Sequence, residues 1–139
     1  MESKERAGLI FVRIHSGENL FSALKEVCRK HKVKVAVVLS AVGMLENFTL
    51  GYFKKKGDYA KQHFKKPHEL VALSGIIMKL SNDYNFHLHA ALGNEKKKLV
   101  GGHLVDASVR VTAEIVLLKS NSKLKRVLDE ETGLLTLKL

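Results

Sequence analysis

The sequence has one cysteine, one proline and no tryptophan among its 139 residues. A lone thiol, Cys28, excludes an intramolecular disulfide, so the fold must rest on its core. It also fits a reducing compartment, the cytoplasm. The single proline, Pro67, rules out a Pro-rich linker, and no Gly/Ser-rich tract divides the chain. Aromatic residues make up 6% of the chain and are too sparse among the basic residues to form a single-strand stacking platform. No apolar run reaches the ~18–20 residues that cross a bilayer as a helix, which points away from a membrane partner. The charged start, Met1-Glu2-Ser3-Lys4-Glu5-Arg6, is not followed by a secretion-type apolar segment. There is no phosphate-cradling Gly-Lys-Ser/Thr loop and no Ser/His/Asp constellation at a recognisable spacing. The expectation is one domain over residues 1–139, with its core from about residue 7.

Against these absences stand 45% hydrophobic residues and a formal net charge of +10. Arginine is scarce here too: only Arg6, Arg13, Arg29, Arg110 and Arg126 among 24 basic residues, the rest being lysine. Lysine attracts polyanions through phosphate contacts, whereas base reading leans on bidentate arginine. Lys54, Lys55 and Lys56, and Lys96, Lys97 and Lys98, are the clearest candidates for contact with nucleic acid or another anion. The alternative is a solvated lysine-rich surface.

Hydrophobic periodicity predicts a strand over residues 7–14. A helix follows over 17–31, with Ser16 as its N-cap and Leu20, Leu24, Val27 and Cys28 on its apolar side. Residues 33–40, 45–53, 70–80, 86–92 and 99–118 read as strands, the last long enough to need a bend or bulge. Residues 134–139 form a short terminal strand, and a helical turn falls around 124–128. One principal helix and many strands predict an α+β fold with a mainly antiparallel sheet. Apolar sheet surface beyond what one helix covers predicts an oligomer.

Three histidines carry the chemistry. His87 and His89 share one face of a strand, and His103 follows a polar loop over residues 93–98. A hairpin symmetric about Lys96 sets His89 opposite His103. Three imidazoles so placed can hold zinc or another divalent ion with a fourth position open. Parity is the obstacle, because a simple hairpin pairs the histidine face with the apolar set Val105, Ala107 and Val109. Either a bulge at Gly101-Gly102 or beside Asp106 shifts the register, or both faces are buried. The competing reading is three imidazoles hydrogen-bonded without metal. Glu114 is a candidate for orienting a ligand imidazole. His15, His31, His63 and His68 have no convergent partners and read as surface or helix-end residues. Cys28 reads as inert core.

Pieces spread along the chain resemble the plants-and-prokaryotes conserved domain, abbreviated PPC or PCC, in its stand-alone prokaryotic form. They are His15-Ser16-Gly17-Glu18-Asn19-Leu20, Ser40-Ala41-Val42-Gly43, Glu69-Leu70-Val71-Ala72-Leu73-Ser74-Gly75, His87-Leu88-His89-Ala90-Ala91-Leu92-Gly93, Val100-Gly101-Gly102-His103-Leu104 and Thr112-Ala113-Glu114-Ile115-Val116. The resemblance implies a compact α+β homotrimer and a metal at the matching histidines. The Arg-Gly-Arg-Pro core of the AT-hook fused to the plant domain is absent from this sequence. Three functions stay open: a DNA-associated, regulatory trimer; a metal-dependent enzyme or binder of small anions at the histidines; and a trimer that recruits other proteins.

Overall fold

The computed structural model describes all of residues 1–139. In chain order the elements are β1 (Glu2–Arg6), β2 (Leu9–His15), α1 (Leu20–Lys30), β3 (Val35–Lys55), β4 (Asp58–Phe64), β5 (His68–Leu80), β6 (Asp83–Gly93), β7 (Leu99–Ser120), β8 (Lys125–Leu128) and β9 (Leu135–Lys138). This is the expected α+β architecture, with one helix and antiparallel pairing throughout.

The main sheet runs β1-β2-β7-β6-β5-β3-β4, and β3 also pairs with β7. That extra pairing closes β3, β5, β6 and β7 on themselves, leaving their backbone groups few open edges. Inside lie Leu45, Leu50, Leu73, Ile77, Leu88, Leu92 and Leu104, part of one cluster of 27 buried residues. The helix adds Leu20, Ala23, Leu24, Val27 and Cys28 to this cluster, its 3.6-residue period bringing them to one face.

Several expectations need correction. The helix is capped by Asn19, whose side chain accepts from the Ser22 amide at 3.0 Å; Ser16 instead bonds the Arg110 carbonyl. The two stretches 33–40 and 45–53 are one bent strand, β3. Residues 124–128 hold no helical turn: residues 125–128 are β8, paired with β9. The polar strands β1 and β4 carry too little apolar alternation to be seen in the sequence. They form because β2 and β3 offer ladders to pair with. His68 is not a surface residue but is buried, its ring edge-on to Phe48 and Phe64.

The long strand β7 carries the expected irregularity beside Asp106. Thr49 pairs with Asp106 and Leu50 with Leu104, so Val105 is an extra residue in the ladder. Buried positions accordingly change parity, from Leu104 to Ala107 and Val109. No bulge occurs at Gly101-Gly102, where pairing with Ala91 and Ala90 is regular. Those glycines serve close approach instead. A Cβ on Gly101 would stand 3.0 Å from the Ala90 carbonyl oxygen, and one on Gly102 3.0 Å from that of Gly51.

Candidate metal centre

His87 and His89 lie on the outward face of β6, alternating with the buried Leu88 and Ala90. His103 lies opposite His89 in the β6–β7 ladder, as the symmetric hairpin requires. Because the bulge at Val105 comes after it, His103 keeps the outward parity while the rest of β7 turns its apolar set inward. His87 has no β7 partner. It pairs with Ile76 on β5 and reaches the other two along its own face.

The three rings converge. Their centroids are 5.2 Å (His87–His89), 5.6 Å (His87–His103) and 5.4 Å (His89–His103) apart. One nitrogen from each lies within 4.8 Å of the others. Ligand nitrogens of a tetrahedral zinc, with bonds of about 2.0–2.1 Å, stand roughly 3.4 Å apart. None of the three rings hydrogen-bonds elsewhere in the chain, so no competing partner has to be released. Burial holds the pKa values of His87 and His103 below the ordinary imidazole value, and neighbouring positive charge adds to this. Both effects favour the neutral ring, which is the form that ligates a metal. The donor set therefore fits a divalent ion and could hold one.

Two residues that the sequence reading had not placed at the site support the triad. Tyr59 on β4 stands edge-on to His103 with centroids 5.9 Å apart, its ring crossing Gly51. A Cβ on Gly51 would lie 2.3 Å from the Tyr59 ring, so only glycine admits this contact. Gly75, at φ +141°, pairs with Leu88; a Cβ there would sit 1.9 Å from the His87 carbonyl oxygen. Gly75 thus lets β5 approach the backbone that carries His87. In the sequence Gly75 only ends the Glu69–Gly75 piece of the resemblance, and Tyr59 only follows Lys54-Lys55-Lys56 by three residues.

Glu114 is not brought to the triad. It lies exposed towards the far end of β7, paired with Arg13 and Val42, and lines an outer groove with Phe11 and Val116. Lys54, Lys55 and Lys56 are exposed at the β3–β4 turn, and Lys96, Lys97 and Lys98 at the β6–β7 turn. Both turns extend from the end of the sheet reached through the Gly51–His103 pair. Of these lysines, Lys56 bonds the Glu130 carbonyl, and none is in a salt bridge. No helix is long and apolar enough to cross a membrane.

Comparison with known proteins identifies the family and the fold. The family model of the Plants and Prokaryotes Conserved (PCC) domain matches residues 1–121. A bifunctional protein GlmU from a Synechococcus strain is 33% identical over 128 residues, 91% of this chain. The chain spans only about a fifth of the length of such curated relatives, 19% here. Among solved structures, a plant- and prokaryote-conserved protein of Pyrococcus horikoshii superposes with a TM-score of 0.85 at 27% identity, covering 99% of this chain and 94% of the other. A metal-containing protein of Archaeoglobus fulgidus gives 0.82, also at 27%, covering 97% of this chain and 94% of that one.

Proposed function

The chain belongs to the Plants and Prokaryotes Conserved domain family, and on that premise we propose that it works as a homotrimeric metal-binding protein. His87, His89 and His103 hold zinc or another divalent ion, with one position left for a small ligand. One observation carries this reading: three imidazoles, free of other hydrogen bonds, present nitrogens within 4.8 Å of one another. Such an ion supplies Lewis-acid chemistry and an activated water at its open position. The residues of the chain orient the rings and set the charge around them. The metal-containing relative from Archaeoglobus fulgidus supports the reading.

A trimer accounts for the apolar surface left outside the core. Phe11, Leu39, Val42, Val71 and Val111 are each between 47% and 63% exposed. Phe11 and Val42 line one groove on the outer sheet face. A second subunit is the ordinary cover for such a surface. Residues 1–139 act as one unit in this assembly, in a reducing compartment such as the cytoplasm, where the buried Cys28 stays a thiol.

Metal analysis of protein purified without an affinity tag tests the site. About one divalent ion per chain is expected for wild type, and far less for His87→Ala or His103→Ala. Sedimentation equilibrium tests the assembly: a mass three times the 15.5 kDa chain supports it, and a monomer overturns it.

A second reading, association with DNA, has one observation in its favour. The net charge is +10, with two exposed lysine runs at one end of the sheet. That charge supports electrostatic, sequence-independent binding whose affinity falls steeply with salt. Fluorescence anisotropy with two unrelated duplexes checks it, and no binding near physiological salt would remove this reading.

A further inference from the structure

The end of the closed sheet away from the two lysine runs, where β3 begins and β5 ends, carries a groove of uncompensated positive charge. It consists of two adjoining clefts of about 450 and 430 Å³. Arg29, Lys32, Lys34 and Lys79 line the first, and Lys34, Lys79, Lys123 and Lys125 the second. Lys34 and Lys79 belong to both, so the six cations follow one groove. No carboxylate lines either cleft.

The shared pair is placed by the ladder. Past the Val35–Met78 pair, the Lys79 amide donates to the Lys34 carbonyl at 2.8 Å. The two lysines therefore stand opposite one another with their side chains on one face, an arrangement of like charges that destabilises a sheet. Nothing in the chain neutralises them. Neither ammonium group is in a salt bridge or a hydrogen bond, and the same holds for Lys32, Lys123 and Lys125. Arg29 reaches only Asp83, at 4.0 Å, and Lys25 already holds that carboxylate at 2.7 Å.

The lysine runs at the other end differ. Lys96 and Lys97 share their cleft with Glu69 and Glu95. Lys55 pairs with Asp58, and Lys56 bonds the Glu130 carbonyl. Positive charge is diluted there and undiluted in the groove. Cations in series without counter-ions suit a ligand with phosphates in series, and a duplex carries one negative charge per about 1.7 Å of its axis. One aromatic, Tyr84, lines the groove, its hydroxyl tied to the Cys28 and Val33 carbonyls. That is too little for the stacking that single strands use, and one arginine is too little for base reading.

We propose that this groove is a binding site for duplex DNA, holding the phosphate backbone without reading its sequence. The inference rests on the second reading above, association with DNA, and moves the contact from the lysine runs to the opposite end of the sheet.

Fluorescence anisotropy of a labelled duplex, measured between about 50 and 200 mM salt, tests it on the whole protein. The double variant Lys34→Gln, Lys79→Gln is compared with Lys96→Gln, Lys97→Gln, which removes the same charge at the other end. The groove variant should bind at least about tenfold more weakly, and its dependence on salt should flatten by about two in log–log slope. The other variant should lose less of both. Urea denaturation of the groove variant should give a midpoint equal to or above that of wild type, because the opposed like charges are gone. Lys123→Gln with Lys125→Gln lies outside the main sheet and repeats the test without touching the ladder; it too should lose more than the variant at the other end. Groove variants that lose no more affinity than Lys96→Gln, Lys97→Gln overturn the inference and leave the DNA reading standing. Tripolyphosphate that displaces the duplex at matched phosphate concentration overturns the choice of DNA as ligand. Wild type that binds no duplex even at about 50 mM salt overturns the DNA reading and this inference together.

Discussion

Two faces of the same strand obey different rules. On β6, Leu88 and Ala90 point into the closed sheet and are buried, while His87 and His89 point out between them. The inward side chains are fixed by close packing and gain their stability from burial, about 1.5–3 kcal/mol for a fully buried leucine. The outward rings make no hydrogen bond within the chain and are free to turn toward a ligand. A single period-two alternation therefore assigns stability to one set and chemistry to the other. The backbone between them is shared, and Gly75 is the point where the two functions meet.

The comparison breaks first at Gly75. A Cβ at this position meets the His87 carbonyl 1.9 Å away, and that atom is backbone that cannot rotate aside. Gly75→Ala is expected to have the largest effect. It should cost several kcal/mol, at or beyond the roughly 1–3 kcal/mol usual for overpacking, and should disturb metal uptake as well. Urea denaturation and metal analysis on the same sample check this. A stable Gly75→Ala protein with full metal content would show that β5 can move away from β6.

Leu88→Ala should affect the inward face alone. A loss of about 2–5 kcal/mol in the urea transition is expected, with the metal content per folded chain unchanged. Coupled losses would show that the two faces are not independent.

The pH dependence of the metal-free protein probes the outward face. His87 and His103 titrate below the ordinary imidazole value of 6.5 in the folded chain, burial being the larger cause for each. In the unfolded chain the same rings take up protons near the ordinary value, so below it the unfolded state binds more protons than the folded one. Stability is therefore complete above about pH 6.5 and declines as the pH falls toward the folded-state values. Urea midpoints between about pH 8 and about pH 5 should show this decline, and a double His87→Ala, His103→Ala variant should flatten it.

The smallest effects sharpen the contrast. His89→Ala without metal should shift stability by no more than about 0.5 kcal/mol, as expected of an exposed residue outside the core. Cys28, buried in the helix face and pushed up to about 12 by burial, should resist iodoacetamide in the native state and react only on unfolding. Fast native-state alkylation would mean that the helix is more loosely seated than its packing implies.

Much of this was legible in residue order. The His-x-His alternation and the polar loop at 93–98 lead directly to the observed His89–His103 pair. Parity along β7 left a choice between a bulge at Gly101-Gly102, a bulge beside Asp106 and burial of both faces, and the structure has the bulge beside Asp106. What stayed hidden depended on contacts distant in sequence. The strands β1 and β4 are polar and exist through their neighbours. Ser16 has the chemistry of an N-cap, but the chain enters the helix later, so Asn19 takes that role. Glu114 shares a strand with His103, and only the length and course of β7 separate them. Arg126 read as one of five arginines, and its place in β8 depends on a hairpin that no local pattern encodes.

The central claim is that three outward imidazoles form one metal site. Calorimetric titration of zinc into chelator-stripped, tag-free protein tests it most directly. The account predicts saturation at about one zinc per chain, and loss of that binding in His87→Ala, His89→Ala and His103→Ala alike. Wild type that gives no saturable zinc binding, or a triad variant that binds as tightly as wild type, would contradict it.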